Sequence, residues 1–207
     1  MSETIELTDR DFLTADTHIG GAPWPYRLWF KKQNGDPIDQ LRDTVAKIWD
    51  YQVSSDSTIV IIGDALDGRA MSIEAELDWF SKRPGRKILI PGNHDLPHPM
   101  FGIDTEKLSQ QGWFDVFDVR DAKSTMIKMG GFVLPACHYP NTERSQARWC
   151  HVRSSEDLPV LHGHTHSRKG VGRTAEGLLQ INVGWPGRKK LAAVPEIVEE
   201  LQQPWKL

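Results

Sequence analysis

The chain has 207 residues, 39% of them hydrophobic and 26% charged, which is typical of a globular protein and excludes a disordered or fibrous one. The 25 Lys and Arg residues are balanced by 28 Asp and Glu residues, and the net charge of −3 provides no general attraction to duplex nucleic acid or anionic membranes. The two cysteines, Cys137 and Cys150, are too few for a disulfide framework, and we expect no disulfide between them.

These features predict a single domain spanning residues 1–207. The longest apolar runs, such as 58–62, are far too short to cross a bilayer. No charged region followed by an apolar run, the mark of a signal peptide, is visible over residues 1–9. We therefore expect a cytoplasmic protein with no membrane partner and no stable complex with duplex nucleic acid. The sequence leaves the oligomeric state open.

The first half of the chain alternates between predicted strands and helices. In chain order these are a strand at 12–15, a helix at 39–51, a strand at 58–62, a helix at 72–82 and a strand at 87–90. Asp36 and Pro37 precede the first helix as its expected cap and first-turn residue. The order is typical of an α/β fold, in which ligands bind beyond the carboxyl ends of the strands.

The second half is richer in short strands. After a helix at 105–111, strands are predicted at 116–119, 125–128, 132–137, 160–162 and 178–183, with a terminal helix at 197–201. Gly170, Gly172 and Gly177 are predicted to mark turns between the last strands. No composition shift or linker divides the two halves.

Five polar clusters directly follow predicted strands. They are Asp16-x-His18, Gly63-Asp64-x-x-Asp67, Gly92-Asn93-His94-Asp95, Cys137-His138 and Gly163-His164-Thr165-His166. Because a sheet brings its strand ends to a common edge, we expect these carboxylates, imidazoles and one carboxamide to converge. A spacing of two in the first and last clusters would, in extended backbone, direct both side chains to the same face.

The ligand types predict a metal site. Mixed Asp, Asn and His donors suit Mn²⁺, Fe, Zn²⁺ or Ni²⁺ better than Ca²⁺ or a structural thiolate zinc site. Seven candidate ligands are too many for one ion, but they suit two ions that share a bridging carboxylate and lie about 3.5–4 Å apart. A pair of ions at this spacing can clamp a phosphoryl group.

The clusters, in this order, resemble the calcineurin-like metallophosphoesterase family over positions 11 to about 185, and in particular its small single-domain phosphodiesterases. The resemblance implies a four-layer α/β/β/α sandwich with two central mixed β-sheets flanked by helices. It implies that one ion binds Asp16, His18, Asp64 and His166, and that the second binds Asp64, Asn93, His138 and His164. Asp64 would be the bridge between the two ions, of which Mn²⁺ is the first choice.

The same resemblance implies a phosphoesterase mechanism. A hydroxide that bridges the two ions would attack phosphorus, and His94 would protonate the leaving oxygen. Asp95 would orient His94 through a hydrogen bond. We expect small phosphodiesters as substrates, with nucleotide diesters such as 2′,3′-cyclic nucleotides first. The alternatives are a phosphomonoesterase, a nuclease of the same family, or a scaffold that uses the fold without catalysis.

Two positions depart from the pattern of the family's protein phosphatases. Those enzymes carry Arg after the second Asp of the Gly-Asp cluster and Glu after Asn-His, whereas this chain has Gly68 and Asp95 there. Arg69 is displaced by one position. The departures favour a compact phosphodiesterase.

Candidate substrate-binding residues lie outside the ligand clusters. Trp24 and Tyr26 follow the first cluster and would stack a nucleobase, or they would simply pack a long loop onto the body. Arg144 and Arg148 would reach a second phosphate group, or lie on a solvated helix face.

Four further side chains near the clusters have open roles. We expect His162 to be a buried supporting residue rather than an eighth ligand. Asp67 would either hold a ligand histidine or a metal-bound water, or cap a turn or helix. His98 would contact substrate or occupy a turn, and His151 is expected on the surface.

Overall fold

The computed structural model describes residues 4–21, 36–67, 72–123, 125–140, 150, 158–174 and 177–203. It contains eleven strands within these ranges: β1 Thr4–Glu6, β2 Phe12–Thr14, β3 Thr58–Ile62, β4 Arg86–Ile90, β5 Asp118–Val119, β6 Thr125–Met129, β7 Phe132–Ala136, β8 Val160–His162, β9 Val171–Arg173, β10 Leu179–Asn182 and β11 Ala192–Ala193. They form two mixed sheets. One has the order β11-β2-β3-β4-β5 and the other β1-β6-β7-β8-β10-β9.

Six α-helices are described: α1 Pro37–Gln52, α2 Ile73–Ser81, α3 Thr105–Gln110, α4 Trp113–Val116, α5 Trp185–Arg188 and α6 Val194–Gln202. A 3₁₀ helix spans Pro99–Phe101. The predicted cap of α1 is confirmed, because the Asp36 side chain accepts a hydrogen bond from the Ile38 backbone N–H and Pro37 occupies the first turn. Ser72 caps α2 in the same way.

Strand β3 shows how the two cores are separated. Alternate side chains of a strand point to opposite faces of the sheet. Ile59 and Ile61 therefore join the cluster that includes the helical residues Trp49 and Phe80, while Val60 and Ile62 face the second sheet. Each of these buried aliphatic side chains contributes about 1.5–3 kcal/mol through burial.

The predicted α/β sandwich with two central mixed sheets is confirmed. Its inner core is formed where β2, β3 and β4 face β1, β6, β7, β8 and β10. Helices α1 to α4 contribute to the core on the opposite face of the five-stranded sheet. None of the helices in the described ranges has both the length and the apolarity needed to cross a membrane.

Several short elements differ from the sequence prediction. Val116 ends α4 instead of starting a strand, and β5 comprises Asp118–Val119 alone. Gly172 lies inside β9 rather than in a turn. Strands β1, β9 and β11 and helices α4 and α5 were not predicted, because two to four residues are too few to show a periodic pattern.

The parallel strands determine where polar residues meet. Strands β2, β3 and β4 are parallel neighbours, so the loops that follow them lie at one edge of the sheet. The loops are also joined to each other: the Asp16 N–H donates to the Gly63 carbonyl, and the His18 N–H donates to the Asp64 carbonyl, both at 3.0 Å. Hydrogen bonding between loops makes this edge a rigid platform.

Candidate metal centre

The backbone of five candidate ligands is left-handed. Their φ angles are 57° for Asp16, 45° for His18, 54° for Asp64, 67° for His164 and 49° for His166. In the described ranges Lys189 is the only other non-glycine residue with a positive φ. Such a conformation costs about 1–3 kcal/mol per residue and persists where the surrounding structure demands it.

The left-handed turns correct the prediction of extended backbone in the first and last clusters. Asp16 and His18 do converge, but through turns rather than through a pleated strand. His164 and His166 lie in two different groups of ligand atoms. A left-handed residue reverses the local direction of the chain, so the period of two does not apply here.

The first group comprises Asp16, His18 and His166, whose candidate ligand atoms lie within 4.8 Å of one another. His18 Nε2 and His166 Nε2 are 3.0 Å apart, and Asp16 Oδ1 is 3.7 Å from His166 Nε2. Asp16 is fully buried and His18 almost fully. Two ring nitrogens and a carboxylate oxygen at these distances form a ligand set of the type that first-row divalent metals use.

The second group comprises Asp64, His138 and His164. His138 Nδ1 lies 2.9 Å from the Ile62 carbonyl oxygen, an acceptor, so Nδ1 carries the proton and Nε2 of the neutral ring has a free lone pair. That Nε2 faces Asp64 Oδ2 at 3.2 Å. Two electron pairs facing each other need a cation or a proton between them.

Asp64 connects the two groups. Its Oδ2 atom lies 3.2 Å from His138 Nε2 and 3.6 Å from His18 Nε2. Its Oδ1 atom accepts a hydrogen bond of 2.9 Å from the His94 backbone N–H, which fixes the carboxylate plane. A single carboxylate oxygen thus lies between histidines of both groups.

Asn93 supplies a further oxygen in the turn after β4. Its Oδ1 atom is buried and accepts no hydrogen bond from any residue that the structure describes. A buried amide oxygen without a donor costs free energy, about 1–3 kcal/mol, unless a cation or an ordered water meets it. This observation, with the facing His138 and Asp64, shows that the residues present fit a divalent metal.

Burial favours the neutral form of three candidate histidine ligands. It lowers the pKa of His18 to about 3 and that of His164 to about 4, and it moves the pKa of His166 in the same direction. A metal binds the unprotonated ring nitrogen, so these three histidines are in the ligand form at neutral pH. Burial also acts on His138, but the contact with Asp64 outweighs it and raises the pKa of His138 to about 9, so His138 would release a proton on binding a metal.

The two carboxylates respond differently to burial. Burial raises the pKa of Asp16 to about 7, and the nearby charge of Asp64 adds to the effect. Burial also acts on Asp64, but the interactions with His138 and His18 outweigh it, and the pKa of Asp64 lies well below its usual range. The burial of two carboxylates in one site predicts that a cation is bound there.

Comparison with known proteins decides the family. A sequence model of the calcineurin-like phosphoesterase family matches residues 12–168. Two curated relatives are both named Gene 66 protein. The one from Mycobacterium phage L5 is 34% identical over 196 residues, which cover 91% of this chain and 92% of the relative. The one from Mycobacterium phage D29 is 33% identical over 205 residues, which cover 93% and 97%.

The chain belongs to the calcineurin-like phosphoesterase family. Calcineurin-like phosphoesterases are phosphate-ester hydrolases that typically depend on two metal ions. In the described residues three His/Asp groups could hold a metal: the two groups above and a third, formed by His18, Asp67 and His94, which shares His18 with the first. A solved structure, that of a protein of unknown function, AQ665, from Aquifex aeolicus, matches with a TM-score of 0.60. The match covers 95% of this chain and 100% of that one at 18% identity, so it shows a shared fold.

The partner of His94 in this calcineurin-like phosphoesterase is not the predicted one. Asp95 Oδ2 accepts hydrogen bonds from the backbone N–H groups of Asp64 and Gly92, and its Oδ1 accepts one from Leu66, so Asp95 holds the metal loops together. The prediction that Asp95 orients His94 is therefore wrong.

Asp67 takes that place, since its Oδ1 lies 3.5 Å from His94 Nδ1. The contact with Asp67 raises the pKa of His94, against the effect of its partial burial. His94 therefore differs from His18, His164 and His166 in favouring its protonated form. The His94 ring also lies edge-on to the His18 ring, with 4.8 Å between the two ring centroids.

Glycines allow the calcineurin-like loops to approach the ligands closely. A Cβ on Gly92 would lie 2.4 Å from Asp64 Oδ1, and one on Gly184 would lie 2.6 Å from Asp16 Oδ2. Gly92 belongs to a predicted cluster. Gly184 was missed, because it follows β10, whose end carries no candidate ligand.

Tyr139 was also missed. Its ring contacts the rings of His138 and His164, with centroids 5.2 and 4.9 Å away. The signal that could have revealed it is its position directly after a ligand. The Tyr139 ring thus supports both histidines of the second group.

The remaining predicted residues lie away from the two groups or outside the described ranges. His162 is buried and holds the Gly163 carbonyl through Nδ1, and His98 caps the 3₁₀ helix, accepting from the Met100 N–H. Cys137 and Cys150 are both buried, and no disulfide joins them. The residues outside the described ranges are Trp24, Tyr26, Gly68, Arg69, Arg144, Arg148 and His151.

Proposed function

We propose that this chain is a metal-dependent phosphodiesterase that binds two divalent ions, Mn²⁺ first, and hydrolyses small nucleotide phosphodiesters such as 2′,3′-cyclic nucleotides. The observation that carries the proposal is the position of Asp64 Oδ2 between His18 and His138. This position supports two adjacent ions with a shared carboxylate, the arrangement used for in-line displacement at phosphorus.

Each of the two groups would supply ligands to one of the two ions. One ion would be held by Asp16, His18, Asp64 and His166, and the other by Asp64, Asn93, His138 and His164. When bound, the ions would supply the positive charge that acidifies a water molecule and stabilises the phosphoryl oxygens.

His94 would donate the proton that the leaving oxygen needs. Its side chain is 31% exposed, so a substrate can reach it, and Asp67 beside Nδ1 favours the protonated ring. Asp67 is thus the positioning residue. Asp95 remains a support for the backbone of the metal loops.

The departures from the protein-phosphatase pattern at Gly68 and Asp95 support a small diester as the substrate. The aromatic residues Trp24 and Tyr26 support a nucleobase as part of the substrate.

We further propose a reducing, cytoplasmic location. The sequence has two cysteines, too few for a disulfide framework, and such a composition suits a reducing compartment.

The test is hydrolysis by the Mn²⁺-loaded chain of bis-p-nitrophenyl phosphate, p-nitrophenyl phosphate and 2′,3′-cyclic AMP, with chelator-treated protein as control. We expect metal-dependent cleavage of the diester and the cyclic nucleotide. Cleavage of the monoester alone would contradict a phosphodiesterase. Absence of activity with every divalent metal would overturn the catalytic proposal.

A further inference from the structure

A cavity shares part of its wall with the loop that carries His164 and His166, because Thr165 lines it. Its volume is about 290 Å³. The floor is formed by His162, Gln180 and Asn182, on β8 and β10. This volume is close to the lower end of ligand-binding cavities and suits a small group rather than a large cofactor.

Glycine creates the space. Gly172 lies opposite Gln180 in the β9–β10 ladder and lines the cavity. A Cβ placed on Gly172 would meet no atom within 4 Å. The strand at this position therefore accepts a larger side chain without strain, and glycine keeps the cavity open.

The hydroxyl groups of the wall accept hydrogen bonds from neighbouring residues. Thr165 Oγ1 accepts hydrogen bonds from Asn182 Nδ2 at 2.9 Å and from the Ser167 N–H at 3.4 Å. Ser167 Oγ accepts from the Lys169 N–H at 3.1 Å. Because these oxygens already accept, their own O–H groups remain to donate to a ligand.

The charged groups of the wall are cations. Lys169 and Arg173 line the cavity, and Arg173 is anchored by a hydrogen bond of 2.6 Å from Nη1 to the Gly177 carbonyl. In the part of the chain that the structure describes, no carboxylate lines this cavity. Hydroxyl donors together with a fixed guanidinium and an ammonium group match the oxygens of a phosphate.

We propose that this cavity binds a phosphate group other than the one hydrolysed at the metal centre. This phosphate is either a second phosphate group of the substrate that is hydrolysed or part of a separate phosphorylated molecule. Thr165 contributes to the cavity and stands between His164 and His166, so an occupant lies within about 10 Å of the metal ligands. The binding claim itself does not depend on the proposed hydrolysis.

The binding test uses the Mn²⁺-loaded full chain and inorganic phosphate in isothermal titration. Gly172→Val fills the cavity with a residue that favours strands, and a Lys169→Gln/Arg173→Gln double variant removes its charge. Lys128→Gln removes an exposed cation on a distant strand and is the matched control. Circular dichroism confirms that each variant is folded.

We expect Gly172→Val to bind one phosphate fewer per chain than the wild type, whatever the metal centre itself binds. The double variant should lose at least about tenfold in affinity at that site, and Lys128→Gln should match the wild type. Equal stoichiometry and affinity in all four proteins would overturn the proposal. A failure of the proposed function would appear differently, as an inactive protein that still shows the difference of one phosphate.

Hydrolysis assays distinguish the two sources of the phosphate. If it belongs to the substrate, Gly172→Val raises KM for a 5′-phosphorylated dinucleotide but leaves KM for bis-p-nitrophenyl phosphate unchanged. If it belongs to a separate molecule, both KM values match the wild type while phosphate binding is lost. Either result supports phosphate binding in the cavity. Loss of activity on both substrates in a folded Gly172→Val variant would contradict the proposal that the cavity is separate from the metal centre.

Discussion

Gly92→Ala should disable the metal centre by adding one methyl group. The new Cβ would lie 2.4 Å from Asp64 Oδ1, 2.6 Å from Asp64 N and 2.9 Å from His138 Cδ2, whereas ordinary contacts begin near 3.4 Å. Asp64 Oδ1 would therefore have to move by about 1 Å. Metal–ligand distances tolerate only about 0.2 Å, so the shift exceeds what a bound ion accepts.

Hydrogen bonds prevent Asp64 from moving away from the added methyl group. Its backbone N–H donates to Asp95, and its Oδ1 accepts from the His94 N–H, so both clashing atoms are held. We expect Mn²⁺ affinity to fall by at least about 10- to 100-fold. Overpacking should also lower the free energy of unfolding by about 1–3 kcal/mol.

Isothermal titration with Mn²⁺ and urea denaturation measure both effects. Gly172→Ala is the matched control, since its Cβ meets no atom within 4 Å, and it should bind Mn²⁺ as the wild type does. Wild-type Mn²⁺ affinity and activity in the Gly92→Ala protein would show that the metal centre does not depend on the close contact between Gly92 and Asp64.

Three further predictions concern catalysis, cation binding and the core. His94→Ala should lower turnover of a substrate with a poor leaving group by about 100-fold or more, and Asp67→Asn about tenfold, while Mn²⁺ affinity stays unchanged; rates equal to wild type would remove the pair from the mechanism. Chelation should lower Tm, because buried Asp16 and Asp64 lose their counter-charge, and an unchanged Tm in calorimetry would contradict this. Trp49→Phe, which removes an indole N–H donor to Pro84, should lower the free energy of unfolding by about 2 kcal/mol in urea, whereas Tyr51→Phe, at a side chain 91% exposed, should not.

The long elements were predictable because their patterns are strong. The β-branched run Thr58–Ile62 is a strand with those same bounds, and Asp36 with Pro37 marks the start of α1. The ligand clusters were found for a related reason. Each follows an apolar strand, and parallel strands bring their carboxyl ends together whatever the detail of the loops.

Other features depend on three-dimensional contacts that no local pattern shows. Asp95 is adjacent to His94 in sequence, but three backbone N–H groups occupy its carboxylate, and the more distant Asp67 meets the imidazole. The left-handed backbone of His164 and His166 depends on the hydrogen bonds and close contacts of the folded loops, so periodicity could not predict it. Strand β9 contains Gly172, which alone suggests a turn, and its pairing with β10 decides otherwise.

The measurement that tests the central claim most directly is the metal content of the purified, Mn²⁺-loaded chain by inductively coupled plasma mass spectrometry. Diester hydrolysis is measured on the same samples. Asp64→Asn serves as the comparison, because it removes the carboxylate between His18 and His138 while keeping its size. We expect two metal ions per wild-type chain with metal-dependent hydrolysis. In Asp64→Asn we expect both the two-ion centre and the activity to be lost. Two tightly bound ions in the variant, or hydrolysis by metal-free wild type, would contradict the central claim.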